Sequence, residues 1–195
     1  MIVFIDRQHA GKPSKINDRG ASRDINGDGQ ITAEELEAIW TARIAINLEI
    51  RLLDMGISVM PISDGTYSKR HERVNQYADM HPGPWVYLAM HLNSGGGNYG
   101  SYFYDYRSTK GQQLATIMAN KLNEDVAAIE RTKAIRSCKD DWTKNAYYTI
   151  RNVAKPVAIC CEPFFMDTHQ SLLSMDGVFK VAGSMARAIK VWRDL

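Results

Sequence analysis

Two histidines and a glutamate stand where three separate apolar runs end. Ile2-Val3-Phe4-Ile5 leads through Asp6 to His9, the run 86–90 meets His91, and the run 157–161 meets Glu162. Imidazole nitrogen and carboxylate oxygen are donors that divalent transition metals accept, and a carboxylate can also act as a general base. Taken singly, His9 and His91 read equally well as hydrogen-bonded histidines at strand ends. Three such side chains delivered to comparable positions suggest one metal-dependent active site.

A second constellation is local. Asp24-Ile25-Asn26-Gly27-Asp28-Gly29-Gln30-Ile31-Thr32-Ala33-Glu34-Glu35 matches the twelve-residue calcium loop of EF-hands. Asp24, Asn26 and Asp28 offer side-chain oxygens, Gly29 permits the sharp turn, and Gln30 offers its backbone carbonyl. Thr32 takes the place often bridged by water, Glu35 closes the shell as a bidentate ligand from the start of a helix, and Ile31 is the apolar anchor. The Gly- and Pro-containing stretch 10–23 does not resemble an entering helix, so a lone Ca2+ loop with only an exit helix is expected. The plainer alternative is an Asx-rich turn that caps the helix. Just beyond, Glu37 shares a helical stripe with Thr41, Ile44, Leu48 and Leu52, and a buried carboxylate there needs a partner such as a metal. Glu34 could serve the same purpose, and an ordinary first-turn acid is the competing account.

Other apparent motifs fail on context. His71-Glu72-Arg73-Val74-Asn75 begins like a zinc-protease helix, but Asn75 occupies the place of the second histidine. Gly95, Gly97 and Gly100 have dinucleotide-fingerprint spacing, yet strand-like aromatic sequence follows where a helix must begin. There is no Gly-Xaa-Ser-Xaa-Gly elbow and no phosphate-binding P-loop. Cys160 and Cys161 lie inside an apolar run and should point to opposite faces of a strand. With Cys138 they make an odd count, which favours reduced thiols and a core role for Cys161 over a nucleophilic one.

The elements that must position these residues alternate between strand and helix. Strands are expected at 2–5, 57–62, 85–92, 101–106 and 156–164, with a short edge strand at 134–137. Helices are expected at 33–55, closed by Gly56, and at 69–79, 111–126, 142–150 and 177–193. Apolar runs bounded by turn residues are the mark of buried strands in a largely parallel sheet, so the class is α/β. In such sheets ligands gather beyond the carboxyl ends of the strands, which is where His9, His91 and Glu162 fall.

With 195 residues and 45% apolar content, the chain suits one domain with a substantial core. A net charge of +2 from 24 basic and 22 acidic side chains does not call for nucleic acid as a partner, while a pI near 8.4 is compatible with acidic polymers. Charged Asp6 and Arg7 interrupt the first apolar run too early for a secretory signal, and no stretch is long enough to span a bilayer. Synthesis in the cytoplasm, without stable membrane insertion, is the expectation.

The ordered pieces resemble a known family, the zinc-dependent N-acetylmuramoyl-L-alanine amidases of the Amidase_3 type. Phe4-Ile5-Asp6-Arg7-Gln8-His9-Ala10-Gly11-Lys12 resembles the family's opening strand and first zinc histidine. Residues 37–59 resemble its first helix, whose early glutamate is a zinc ligand, and Met90-His91-Leu92-Asn93-Ser94 its second zinc histidine. Ser63-Asp64-Gly65-Thr66-Tyr67 with Glu72-Arg73-Val74 is similar to the segment after the second strand. Ile150-Arg151-Asn152 and the stretch 156–164 are similar to the last core strand with its catalytic Glu162. The usual Gly-His-Gly-Gly is here Gln8-His9-Ala10-Gly11, and the calcium loop is inserted ahead of Glu37. The resemblance implies one domain with a mixed, mostly parallel sheet of about six strands flanked by helices. It also implies zinc on His9, Glu37 and His91, Glu162 as catalytic base, and peptidoglycan as substrate. The absence of an evident wall-binding module makes the chain look like a single-domain, monomeric phage endolysin that meets the wall after membrane permeabilisation. The rival readings are another zinc peptidase or carboxypeptidase acting on the stem peptide, and a non-catalytic calcium-dependent wall-binding protein.

Overall fold

The computed structural model describes residues 1–9, 20–22, 24, 28–32, 35–137 and 147–195. Six strands form one sheet: β1 (Ile2–Arg7), β2 (Ser58–Ile62), β3 (Trp85–Met90), β4 (Tyr99–Asp105), β5 (Arg131–Ser137) and β6 (Val157–Glu162). Their order across the sheet is β2-β1-β3-β6-β4-β5, and every neighbouring pair is parallel except β4 with β6. This mixed α/β sheet is the expected fold class.

Side chains alternate between the two faces with the period of two that a strand imposes. Val3, Ile5, Val86, Leu88, Met90, Ile159 and Cys161 point to one face. There they pack under α1 (Glu37–Asp54), α3 (Thr109–Asp125) and α5 (Met175–Arg193). Phe4, Tyr87, Ala89, Ala158 and Cys160 point to the other face, under α2 (Tyr67–Met80) and the single turn α4 (Tyr148–Arg151). The adjacent cysteines are thus free, buried thiols on opposite sides of β6. Among the described residues no helix is long and apolar enough to cross a membrane.

Helix α1 ends as Gly56 directs. Its φ is +69°, Gly56 N–H donates to Leu53 O (2.9 Å) and Ile57 N–H to Leu52 O (2.9 Å), a Schellman closure. The start of α1 differs from expectation. Its first helical residue is Glu37, preceded by Leu36 in extended conformation (φ −104°, ψ 129°), which bridges antiparallel to Ser22. Glu35 therefore lies outside the helix rather than at its start, because pairing with the incoming chain holds residue 36 extended. The edge strand β5 is longer than 134–137. Arg131 and Lys133 face outward as charged edge protection, and Asn123 of α3 pairs with both backbone groups of Thr132 (2.6 and 3.2 Å). Of the expected helix 142–150, α4 is the described part; residues 142–146, Cys138, Asn26 and Glu34 lie outside the described residues.

Candidate active site

Because β1, β3 and β6 are parallel neighbours at the middle of the sheet, their carboxyl ends lie side by side. The β3–β6 pairing continues past the strands: His91 N–H donates to Cys161 O (2.9 Å), Asn93 N–H to Phe164 O (3.0 Å) and Met166 N–H to Asn93 O (2.9 Å). Strand β3 ends at Met90, and this continued ladder carries His91 and Glu162 onto one ledge. His9 enters with a left-handed backbone, φ +66°, which is uncommon for a residue with a side chain and is the kind of strain found at functional sites.

Three donor atoms converge there. His9 Nε2 lies 3.1 Å from His91 Nδ1 and 3.3 Å from Glu37 Oε1, and His91 Nδ1 lies 3.1 Å from the same oxygen. Tetrahedral zinc, with bonds of about 2.0–2.1 Å, sets its ligands about 3.3–3.4 Å apart, so a triangle of this size fits one face of such a site. The chemistry fits as well. Glu37 Oε2 accepts from Ala21 N–H (2.6 Å) and Oε1 from Leu92 N–H (3.0 Å), so backbone donors fix the carboxylate while Oε1 still faces both rings. Two imidazole nitrogens and a carboxylate oxygen turned on one point make a typical divalent-cation donor set. Among the described residues this is the cluster of three that could hold a metal. Burial of Glu37 opposes its charge, but the hydrogen bonds and charges of His9 and His91 outweigh burial and hold the carboxyl well below the usual range.

Gly20 completes the cradle. Its φ is +74°, and a Cβ added there would collide with Glu37 Oε2 and sit 2.8 Å from His9 Cδ2. Glycine is required both for the left-handed turn and for the close approach.

Glu162 is half-buried and held at both oxygens. Asn93 Nδ2 donates to Oε2 (2.7 Å), and the Tyr147 hydroxyl donates to Oε1 (3.1 Å). Burial raises its pKa, with His91 and Tyr147 opposing and Glu37 adding to the rise. A carboxyl poised upward in this way suits proton exchange. Neither Asn93 nor Tyr147 was singled out for this from sequence. Asn93 has a signal in its place two residues after His91, whereas Tyr147 is recruited by a turn fifteen residues before Glu162 and has none.

The calcium-loop residues have a different geometry. Asp24 accepts from Asp28 N–H (3.1 Å) and Gly29 N–H (2.7 Å), and Asp28 from Gln30 N–H (2.8 Å). Glu35, 4% exposed, accepts from both the N–H (2.8 Å) and hydroxyl (3.0 Å) of Thr32. The Asp28 contact is an Asx turn, and the others are carboxylate contacts to backbone and hydroxyl groups of the same loop. Among the described residues Asp24, Asp28 and Glu35 do not form a second metal cluster. Ile31, expected as an apolar anchor, is instead 48% exposed, there being no partner loop among the described residues for it to pack on.

No family model matches the chain, and no curated protein matches it. Solved structures do. The N-acetylmuramoyl-L-alanine amidase AmiC2 of Nostoc punctiforme is similar over 100% of this chain and 98% of its own, at 20% identity and a TM-score of 0.75. The catalytic domain of the CD27L endolysin targeting Clostridia Difficile is similar over 97% of this chain and 96% of its own, at 20% identity and a TM-score of 0.65. Cwp6 from Clostridium difficile matches 97% of this chain at 21% identity and a TM-score of 0.76, with this chain spanning only 28% of its length. At these identities the likeness is one of fold.

Proposed function

We propose that the protein is a zinc-dependent N-acetylmuramoyl-L-alanine amidase that cuts the amide between the lactyl group of N-acetylmuramic acid and L-alanine in peptidoglycan. The observation that carries this reading is the convergence of His9 Nε2, Glu37 Oε1 and His91 Nδ1 to within 3.1–3.3 Å of one another. The fold shared with structures named as such amidases supports it.

His9, Glu37 and His91 would hold the metal. Zinc bound there would polarise the scissile carbonyl and lower the pKa of a water molecule to about 7. Glu162 takes the water proton and returns it to the leaving amine, its raised pKa letting it carry that proton between the two events. Asn93 and Tyr147 keep its carboxylate in one orientation throughout. Ala21 and Leu92 do the same for Glu37 through their backbone N–H groups.

In the same reading the 195 residues make one monomeric catalytic domain serving host lysis, as in a phage endolysin. The loop from Asp24 to Glu35 binds calcium, a reading supported by the match of its sequence to the twelve-residue loop and by Asp24, whose two oxygens accept from the N–H groups of Asp28 and Gly29 within it. Mass spectrometry of purified peptidoglycan after digestion, with and without zinc, tests the assignment. Intact glycan strands and free stem peptides beginning at L-alanine are expected, only with metal. Cuts within the stem peptide would instead make the protein a zinc carboxypeptidase, and full activity in a preparation free of transition metal would end the zinc reading.

A further inference from the structure

One buried group plays no part in the metal centre. His71 on α2 is 2% exposed, and neither ring nitrogen has a hydrogen-bond partner among the described residues. Tyr67 stacks on it at 6.5 Å, Tyr87 meets it edge-on at 5.8 Å and Tyr148 is tilted against it at 5.4 Å. Buried polar atoms without partners are costly, and proteins keep them where a ligand or catalysis requires them. His71 also lines a groove of about 330 Å³ between α2 and α4, at the lower end of the size range of small-ligand sites, about 300–1,000 Å³.

We propose that this groove is a saccharide subsite, in which His71 and the face of Tyr148 receive an acetamido sugar of the glycan. The proposal rests on the amidase reading, in which the scissile amide joins a glycan arm to a peptide arm. Tyr148, which lines the groove, directly follows Tyr147, whose hydroxyl donates to Glu162. Its lining is hydroxyl, amide and carboxylate, from Ser68, Gln76, Glu72 and Asp79 besides His71 and Tyr148, and includes no lysine or arginine among the described residues. Planar amides and hydroxyls match sugar hydroxyl and acetamido groups, which donate and accept from the same atoms. Tyr148 is 41% exposed, with the Arg151 guanidinium 5.5 Å from its ring centroid, and the ring surface left open can carry the C–H face of a sugar. The cations beside the lining are already engaged, Lys155 with Asp79 (2.5 Å) and Arg151 over the Tyr148 ring (5.5 Å to its centroid). Burial and the Arg70 charge lower His71 to about 4, so the ring is neutral near pH 7 and keeps one donor and one acceptor for a hydroxyl.

The test titrates the full chain with a β-1,4-linked tetrasaccharide of N-acetylglucosamine and, separately, with a free stem tetrapeptide, following the His71 ring by NMR and affinity by calorimetry. The tetrasaccharide should shift the His71 signals and bind at least about tenfold more weakly to Tyr148→Ala or His71→Phe. His71→Phe should also melt at a higher temperature than wild type, since it removes the unpaired nitrogens from an aromatic setting; gain of stability with loss of binding marks a functional residue. Failure of the tetrasaccharide to bind wild type, unchanged affinity in both variants, or a response of His71 to the peptide alone would overturn the proposal. Wall digestion run in parallel reports the amidase reading separately. Saccharide binding without stem-peptide release would remove that reading and leave the subsite standing.

Discussion

The side chains of the candidate centre divide into those that would hold a metal and one that would move a proton, and substitution should separate them. Glu162→Gln keeps size and shape, so the variant should retain zinc and lose turnover ~100-fold or more. His9→Ala and His91→Ala should lose zinc itself; zinc content by elemental analysis beside activity decides, and a Glu162→Gln protein that is metal-free yet active would reverse the roles. Gly20→Ala tests the cradle. The new methyl must push Glu37 or His9 aside, so zinc affinity should fall by about 10–100-fold, as for other disturbances behind metal ligands. Wild-type affinity in a competition titration with a chelator would show that the contact is not needed. His71 supplies a pH dependence. Its pKa is about 6.5 unfolded and about 4 folded, so below pH 6.5 the unfolded chain binds a proton that the folded chain resists. Stability attributable to this group is complete above pH 6.5 and is lost as pH falls to about 4, by roughly 3 kcal/mol in all. Denaturant melts of His71→Phe should lack that portion of the acid decline, and identical pH profiles would refute it. His9, His91 and Glu162 were legible in the sequence because each ends an apolar run that must be a strand. Gly20 and Ala21 were not, because what they contribute is a backbone N–H and the absence of a Cβ, and neither leaves a mark on residue type.

Among the elements, Ala21 and Ser22 join the loop at Asp24 to the candidate centre. Ala21 and Ser22 pair with residues 36 and 37: Ser22 bridges Leu36, Glu37 N–H donates to Ala21 O (2.9 Å), and Ala21 N–H donates to Glu37 Oε2. The loop is thus closed at its base by the residues that orient Glu37. Calcium bound between Asp24 and Glu35 would neutralise mutually repelling carboxylates and rigidify that base. A cation that binds only the folded form stabilises it by ~2.7 kcal/mol at a hundredfold excess over its dissociation constant. We expect calcium to raise the melting temperature and improve zinc retention, and expect Asp24→Ala with Asp28→Ala to abolish both effects. Calorimetry without a calcium signal, or a double variant that still responds, would leave the loop a polar turn. The strands could be read from apolar runs and the helices from their stripes, since both periods follow from local geometry. The true start of α1 could not, because the bridge from Leu36 to Ser22 holds residue 36 extended just ahead of Glu37. The antiparallel placement of β4 beside β6 was equally hidden, strand direction being a property of the chain path rather than of residue type.

At the scale of the molecule, the α2 face of the sheet is joined to the centre by a buried ion pair whose two members show no sign of pairing in the sequence. Arg70 Nη1 donates to Asp6 Oδ1 (2.7 Å), both side chains being 0% exposed, and Asp6 Oδ2 accepts from Tyr87 (2.5 Å) and Gln8 (2.6 Å). The same guanidinium donates to Arg7 O (3.2 Å), Ser63 O (2.6 Å) and Gly65 O (3.1 Å). It therefore ties the end of β1, which carries His9, to the β2–α2 connection and to the helix bearing His71. An acid at position 6 and a base at position 70 look like surface charges until the sheet brings them together. Desolvating the pair offsets most of its attraction, so its worth lies in geometry more than in net stability. Arg70→Met should cost about 3–5 kcal/mol, because it strands a buried carboxyl along with three backbone carbonyls. Adding Asp6→Leu should recover much of that loss in a denaturant melt, since an apolar pair of similar volume avoids both desolvation penalties. Zinc affinity should behave differently. The double variant regains stability but not the guanidinium that holds Arg7 O, so the platform under His9 stays loose and the metal stays weakly bound. Recovery of both together would mean that the pair serves folding alone; recovery of stability without zinc affinity would show that the ion pair positions the centre from the opposite face of the sheet.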